Sequence, residues 1–176
     1  MSVVDTSDYS LTVKNSSSVS FTLFHAADVG TNAKTTSFPS KELLPNGETC
    51  LAWNSDPDSL GRGTSVGHIY YSPLPGPGKD IARVWGVQLN SYTASGGLPK
   101  TFYQYTYAVN PYSKTEPGPP FWLESGKGWR ESYCFVIPVQ SETGKVKITV
   151  ADDPHGDVYS KTGKPLYSVA ILIEDY

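Results

Sequence analysis

The sequence predicts an all-β fold: a single-domain antiparallel β-sandwich or barrel of roughly nine to ten short strands with Gly/Pro-rich loops. Strand-favouring aromatic residues are abundant, with 12 Tyr and 4 Trp. Turn formers are equally frequent, and the 16 Gly and 14 Pro separate short runs of alternating apolar and polar residues. No window keeps the helical period of apolar residues, and no internal repeat suggests a propeller or solenoid.

The first half of the chain predicts five strands bounded by turn signals. They cover residues 9–13, 19–25, 48–53, 67–71 and 83–90. The first two flank Asn15-Ser16-Ser17-Ser18 and are expected to form a hairpin. Because side chains alternate along a strand, Leu23 and His25 are expected on one face of the second strand, together with Phe21.

The second half predicts four more strands, over residues 101–109, 132–139, 145–151 and 166–174. The clearest is 145–151, where Val146, Ile148 and Val150 alternate with polar residues, as a half-buried strand requires. No linker-like break in composition separates these segments. Residues 1–176 are therefore expected to form one domain.

Charge and hydropathy narrow the class of partner. The formal net charge is -3, and no Lys/Arg stripe runs among the aromatic residues, so a nucleic acid partner is not expected. No segment approaches the ~18 apolar residues of a transmembrane helix. The first eight residues lack the basic and apolar regions of a signal peptide, which predicts cytoplasmic synthesis and leaves release without a signal open.

Cys50 and Cys134 both lie in strand-like runs. The prediction is a pair of buried free thiols, with a disulfide as the alternative. Asn15-Ser16-Ser17 matches the glycosylation acceptor pattern. Without an export signal, a turn is the preferred interpretation of that segment.

Three tyrosines in the strand 101–109 are the first candidate ligand-binding residues. Tyr103, Tyr105 and Tyr107 alternate and therefore share one face. Such a row forms either a half-polar core or a surface on which sugars, lipid headgroups or flat small molecules stack. We favour the ligand-facing alternative. The opposite face, with Phe102, Gln104 and Thr106, is hardly better suited to a core.

Aromatic residues near Gly and Pro loops extend this candidate surface. Tyr112 lies close to a proline-rich run, and Trp122 and Trp129 flank a glycine-containing segment. Exposed aromatic side chains beside such loops bind sugar rings, membrane interfaces or small molecules, whereas packing in the core is the alternative. The ligand-binding prediction therefore includes Tyr112, Trp122 and Trp129.

Metal binding has two candidate locations. The three histidines, His25, His68 and His155, are far apart in sequence, but strands bring such positions together in some folds; otherwise they are ordinary surface or core residues. Asp152, Asp153 and Asp157 lie close together near His155, and their oxygens suit calcium, although a polar turn explains them equally well. The prediction is no cofactor, with calcium at these acids as the alternative.

No catalytic motif is present: the chain contains neither a nucleophile elbow nor a phosphate-binding loop. The favoured hypothesis is a non-enzymatic binding protein, lectin-like or membrane-lipid-binding. The alternative is a small β-barrel enzyme of cyclase or isomerase type with a tyrosine-lined pocket. In that enzyme His25, Asp152 or Glu124 would transfer protons. The sequence does not decide between enzyme and binder, and it leaves a homo-oligomer open.

The run from Val13 to Leu23, followed by Leu44-Pro45-Asn46-Gly47-Glu48, resembles the strand and turn pattern of small fungal and bacterial β-sandwich proteins such as the aegerolysins. The resemblance covers about the first third of the chain. The whole chain is longer than is usual for that family. The resemblance implies a β-sandwich, and we assign no family from it.

Overall fold

The structure is a computed structural model that describes residues 9–30, 33–54, 63–73, 83–93, 100–109, 122–125, 133–138, 144–152 and 167–176, with the backbone alone at some strand positions. These residues form twelve β-strands and no helix. The strands are β1 (Tyr9–Asn15), β2 (Phe21–Gly30), β3 (Lys34–Ser37), β4 (Glu42–Leu43), β5 (Glu48–Asn54), β6 (Gly63–Pro73), β7 (Arg83–Thr93), β8 (Lys100–Val109), β9 (Trp122–Ser125), β10 (Tyr133–Pro138), β11 (Lys145–Asp152) and β12 (Tyr167–Asp175). The predicted all-β class is confirmed.

The strands form two six-stranded sheets. The first sheet has the order β10-β11-β12-β1-β5-β3, and the second has the order β4-β2-β6-β7-β8-β9. Every described pair is antiparallel except β1 with β12, which is parallel. No helix in the described ranges has the length and apolar character needed to span a membrane.

The hydrophobic core lies between the two sheets. Buried side chains of both sheets form one cluster, which includes Leu11 and Leu51 from the first sheet and Ile69 and Val87 from the second. Alternation along the strands explains this, because the apolar face predicted for β11 contributes to the cluster, as do the alternating apolar residues of β7 and β12. Two sheets facing each other across one core form a β-sandwich.

Trp53 and Gly67 form a close contact across this core. A Cβ atom at Gly67 would overlap the six-membered ring of Trp53, which is fully buried. The indole therefore occupies the space that any side chain at position 67 would need. The two sheets interlock at this point.

The predicted hairpin between the first two strands is wrong, because β1 belongs to the first sheet and β2 to the second. The segment between them crosses from one sheet to the other, and the Asn15 side chain holds it. Its Nδ2 donates to Val19 O at 2.7 Å and Leu44 O at 3.1 Å, while its Oδ1 accepts from the Ser17 hydroxyl at 2.6 Å. The local turn signal was correct, but it carries no information about which strands pair.

Asn15 is also unsuited to glycosylation in the folded protein. Its side chain is fully buried, and its Nδ2 atom, to which a glycan would be attached, donates the hydrogen bonds just described. Attachment of a glycan would require this part of the chain to open. The turn interpretation of Asn15-Ser16-Ser17 is therefore the correct one.

A β-bulge at Phe24 overturns the predicted arrangement of β2. Leu23 pairs with Tyr71 and His25 pairs with Tyr70, so Phe24 is an extra residue in the ladder. Leu23 packs against the core, whereas His25 is exposed. The shared face predicted for Leu23 and His25 is wrong because strict alternation fails across a bulge.

The two cysteines are free and far apart in the first sheet. Cys50 lies on β5 and Cys134 on β10, with three strands between them. Four strand spacings amount to about 19 Å, well beyond disulfide reach. Cys134 is exposed, which corrects the prediction that both thiols are buried, and Cys50 is partly buried.

The segment between β3 and β5 forms the turn that its Pro45-Asn46-Gly47 sequence predicts. Gly47 N donates to Leu44 O at 2.9 Å, which closes a four-residue turn. Asn46 has a φ of 62°, the left-handed region that Asn tolerates better than most residues. Proline before such a residue is typical of a type II turn.

Candidate functional site

In the second sheet, backbone pairing aligns one residue from each of the strands β2, β6, β7, β8 and β9. Starting at β2, the register joins His25, Tyr70, Gly86, Thr106 and Trp122 in sequence. Directly paired residues of an antiparallel sheet lie on the same face. We call this set the aromatic row. Its members occupy the outer face of the sheet, since the neighbouring residues Ile69 and Val87 belong to the core.

A second set of paired positions lies beside the aromatic row on the same face. It joins Ala27, His68, Gln88, Gln104 and Ser125. Four of these five residue types carry hydrogen-bonding side chains. We call this set the polar row. The outer face of the second sheet therefore has an aromatic row and a polar row side by side.

The rings of His25, His68 and Tyr70 lie close together on β2 and β6, at one end of the two rows. The His25 and His68 ring centroids are 5.0 Å apart, and the His68 and Tyr70 centroids are 5.1 Å apart. The His25 ring is nearly parallel to that of Tyr70, with an interplanar angle of 11° and a centroid distance of 6.5 Å. We call His25, His68 and Tyr70 the ring patch. It depends on the Phe24 bulge, without which His25 would occupy the core face.

Burial increases steeply from one member of the ring patch to the next. His25 is exposed and His68 is half-buried, whereas Tyr70 is only 2% exposed. Tyr70 lies directly over Gly86 on the neighbouring strand, where a Cβ atom would overlap its ring. Because residue 86 is a glycine, the Tyr70 ring can pack directly against the backbone of the sheet. The patch thus has an exposed imidazole above a phenol that is packed against the backbone.

Unpaired polar atoms concentrate on this face. Among the described residues, four buried side-chain polar atoms find no hydrogen-bond partner. Three of them, Thr22 Oγ1, His68 Nε2 and Tyr70 Oη, belong to outer-face positions of β2 and β6. The fourth, Trp85 Nε1, lies in the core. An unpaired buried polar group costs about 1–3 kcal/mol, so this face, which has three of them, is a candidate functional site.

Two members of the ring patch, His68 and Tyr70, are uncharged near neutral pH. Burial, assisted by the nearby His25 imidazole, lowers the pKa of His68 to about 4. Burial also raises the pKa of Tyr70 to about 12. At pH 7 the patch therefore offers a neutral imidazole and a neutral phenol, which donate and accept hydrogen bonds without a formal charge.

The predicted tyrosine row is in register with core positions of β7. Tyr103 pairs with Leu89, Tyr105 with Val87 and Tyr107 with Trp85, and these three partners are fully buried. The register therefore places the three tyrosine positions on the sheet face that carries the core. It favours the packed alternative, and ligand binding by these side chains stays a prediction.

Trp122 is the predicted ligand-binding residue whose backbone position lies in the aromatic row. It begins β9 and pairs with Thr106. Glu124, a proton-transfer candidate of the enzyme hypothesis, pairs with Tyr105 on the same strand pair. Tyr112 and Trp129 lie outside the described residues, and their predicted roles stay predictions.

The predicted calcium ligands are only partly described. Asp152 ends β11, where it pairs with Val169, while Asp153, His155 and Asp157 lie outside the described residues. In the described ranges no group of three or more His, Cys, Asp and Glu side chains is placed to hold a metal ion. Calcium binding by Asp152, Asp153 and Asp157 stays a prediction.

Sequence reasoning considered His25 and His68 together only as part of a possible set of three histidines with His155, and it did not single out Tyr70. The alternation in His68-Ile69-Tyr70-Tyr71 contains the signal for β6, because it places an imidazole and a phenol opposite two core residues. Nothing in the sequence of β2 marks the bulge that brings His25 to them. Comparison with known proteins adds no assignment: no protein-family model matches the chain, and no curated protein matches it significantly.

Proposed function

We propose that this protein is a non-enzymatic, lectin-like β-sandwich that binds a carbohydrate on the outer face of its second sheet. The observation that carries the proposal is the ring patch with its unpaired polar atoms. An exposed imidazole lies beside the rings of His68 and Tyr70, whose Nε2 and Oη atoms have no partner among the described residues.

Sugars need this combination of groups. The apolar face of a pyranose ring stacks on a flat aromatic side chain, while its hydroxyls both donate and accept hydrogen bonds. A neutral imidazole, a neutral phenol and amides serve those hydroxyls without the desolvation cost of a charged group. The polar row, with Gln88 and Gln104, adds amide residues next to the ring patch.

The length of the aromatic row supports an oligosaccharide rather than a single sugar. Four strand spacings separate the positions of His25 and Trp122, which corresponds to about 19 Å. Gly86 and Thr106, with no bulky side chain, occupy the positions between the two ends. A chain of several sugar units matches this span between the two ends of the row.

The enzyme hypothesis receives less support from the same residues. A proton-transfer group works best when its pKa lies near the working pH, whereas burial lowers the pKa of His68 to about 4. Burial raises the pKa of the Tyr70 phenol to about 12, far above neutral pH. This pair is better suited to hydrogen bonding than to acid–base catalysis.

A glycan array probed with the labelled full chain tests the proposal, with a flotation assay on phosphatidylcholine vesicles, with and without phosphatidylserine, run in parallel. We expect binding to a subset of glycans and no recruitment to either type of vesicle. Binding to vesicles without binding to any glycan would replace the carbohydrate with a lipid headgroup. Binding to neither would overturn the proposal.

A further inference from the structure

The two imidazoles of the ring patch also have the separation expected of metal ligands. Two histidines bound to one tetrahedral zinc ion, with N–Zn bonds of about 2.0–2.1 Å, have ring centroids about 5 Å apart. The His25 and His68 centroids are 5.0 Å apart, and the rings are tilted by 32°. The centroid distance is therefore the one expected of two imidazoles that share an ion.

The state of the nitrogen atoms supports metal binding as well. A ligating imidazole must be neutral and must offer a nitrogen that no other group occupies. His68 Nε2 has no hydrogen-bond partner among the described residues. His25 is exposed, so its ring turns toward an arriving ion without unpacking the core.

Tyr70 lies beside both imidazoles. Its ring centroid lies 5.1 Å from that of His68 and 6.5 Å from that of His25, and Gly86 holds it against the sheet. A rigid neighbour lowers the entropy that two ligand side chains lose when an ion fixes them. The ring patch is thus partly ordered before a metal arrives.

We propose that His25 and His68 form a binding site for a borderline transition-metal ion, with Zn²⁺ as the representative. Imidazole nitrogen is a preferred ligand of zinc, copper and nickel, whereas calcium and magnesium prefer oxygen. No third His, Cys, Asp or Glu joins the pair within the described part of the chain. Water or an oxygen of a bound ligand completes the coordination, which makes the site open and exchangeable.

This site is distinct from the calcium site predicted at Asp152, Asp153 and Asp157, and it does not depend on carbohydrate binding. A ligand hydroxyl coordinated to the ion is one way in which the two properties combine. Failure of the glycan screen leaves the metal site intact, and failure of metal binding leaves the carbohydrate proposal intact.

Isothermal titration of metal-free full chain with ZnCl₂ tests the inference. We expect one equivalent to bind, with affinity reduced at least about tenfold in His25→Ala and in His68→Gln. Cys134→Ser is the matched control, because it removes an exposed thiol, another type of zinc ligand, and leaves the ring patch unchanged. Retained affinity in both histidine variants, or loss in Cys134→Ser alone, would overturn the inference.

A second measurement on the wild-type chain guards against misfolded variants. In ¹⁵N NMR of the imidazole nitrogens, zinc is expected to shift one ring nitrogen of His25 and one of His68 at the same molar ratio. Unchanged resonances for either histidine at one equivalent of zinc would contradict a shared site.

Discussion

The ring of Tyr70 occupies the space in which residue 86 would carry a Cβ atom. The two residues pair directly across β6 and β7, and a Cβ on Gly86 would overlap the tyrosine ring. An aromatic side chain over a cross-strand glycine shields the exposed backbone and gains a flat contact surface. Because His25 and His68 pack against the same ring, Gly86 helps to position the whole ring patch.

Gly86→Ala is expected to destabilise the protein by about 1–3 kcal/mol, because the added methyl group forces the Tyr70 ring away from the sheet. Urea unfolding followed by fluorescence measures the change. The matched control is a double-mutant cycle with Tyr70→Ala, which removes the clashing ring. If Gly86→Ala costs as much in the Tyr70→Ala background as in the wild type, the steric account of this pair is wrong.

Replacing Asn15 with Ala should reduce the free energy of unfolding by about 2–4 kcal/mol, because it leaves the carbonyls of Val19 and Leu44 without their donor. The exposed neighbour Ser16→Ala is the control and should have little effect. Chemical denaturation of both variants measures the difference. Equal stabilities would show that Asn15 does not hold the crossing between the two sheets.

His68 should make the fold sensitive to acid in a defined window. Its folded pKa of about 4 lies below the ordinary value of 6.5, so the unfolded chain binds the proton more tightly. The resulting contribution to the free energy of unfolding is complete above pH 6.5, and it is lost as the pH falls from 6.5 towards 4. Wild-type stability should therefore decrease more than that of His68→Gln between pH 7 and pH 4.

NMR titration of the His68 ring provides an independent check of that window. We expect a midpoint well below the ordinary histidine value, since burial disfavours the charged imidazolium. A midpoint near 6.5 would mean that the ring is solvated and that the ring patch is more open than described. Parallel pH profiles for the wild type and His68→Gln would lead to the same conclusion.

The two thiols should react at different rates with a maleimide at pH 7.5. Cys134 is exposed, whereas burial raises the pKa of the Cys50 thiol, an effect that the Thr12 hydroxyl opposes and Glu48 reinforces. We expect Cys134 to react at least about tenfold faster, because the thiolate is the reactive form and needs access. Mass spectrometry after short exposure identifies the modified residue; preferential labelling of Cys50 would contradict the assignment.

Much of the fold follows from alternation and turn chemistry. The core faces of β7, β11 and β12 were predictable, because Val87, Ile148 and Ile171 sit at positions where apolar and polar residues alternate. The turn at Pro45-Asn46-Gly47 was predictable as well, because proline suits the second position of such a turn and Asn46 tolerates a positive φ. These are local properties, and local sequence specifies them.

Pairing between strands was not predictable in the same way. The turn at Asn15 and the parallel pairing of β1 with β12 depend on contacts between distant segments. The ring patch was missed for a related reason: a single extra residue, Phe24, moves His25 to the outer face, and a bulge has no sequence pattern of its own here. The site became visible only when the register across the second sheet was known.

The most direct test of the account compares His25→Ala with wild type on one glycan array at equal protein concentration. His25 is the exposed ring of the patch, so its loss should leave the fold intact and abolish or strongly weaken glycan binding. Val136→Ala, an exposed change on β10 of the other sheet, is the control and should bind as the wild type does. An identical glycan profile for His25→Ala and wild type would contradict a carbohydrate site at the ring patch.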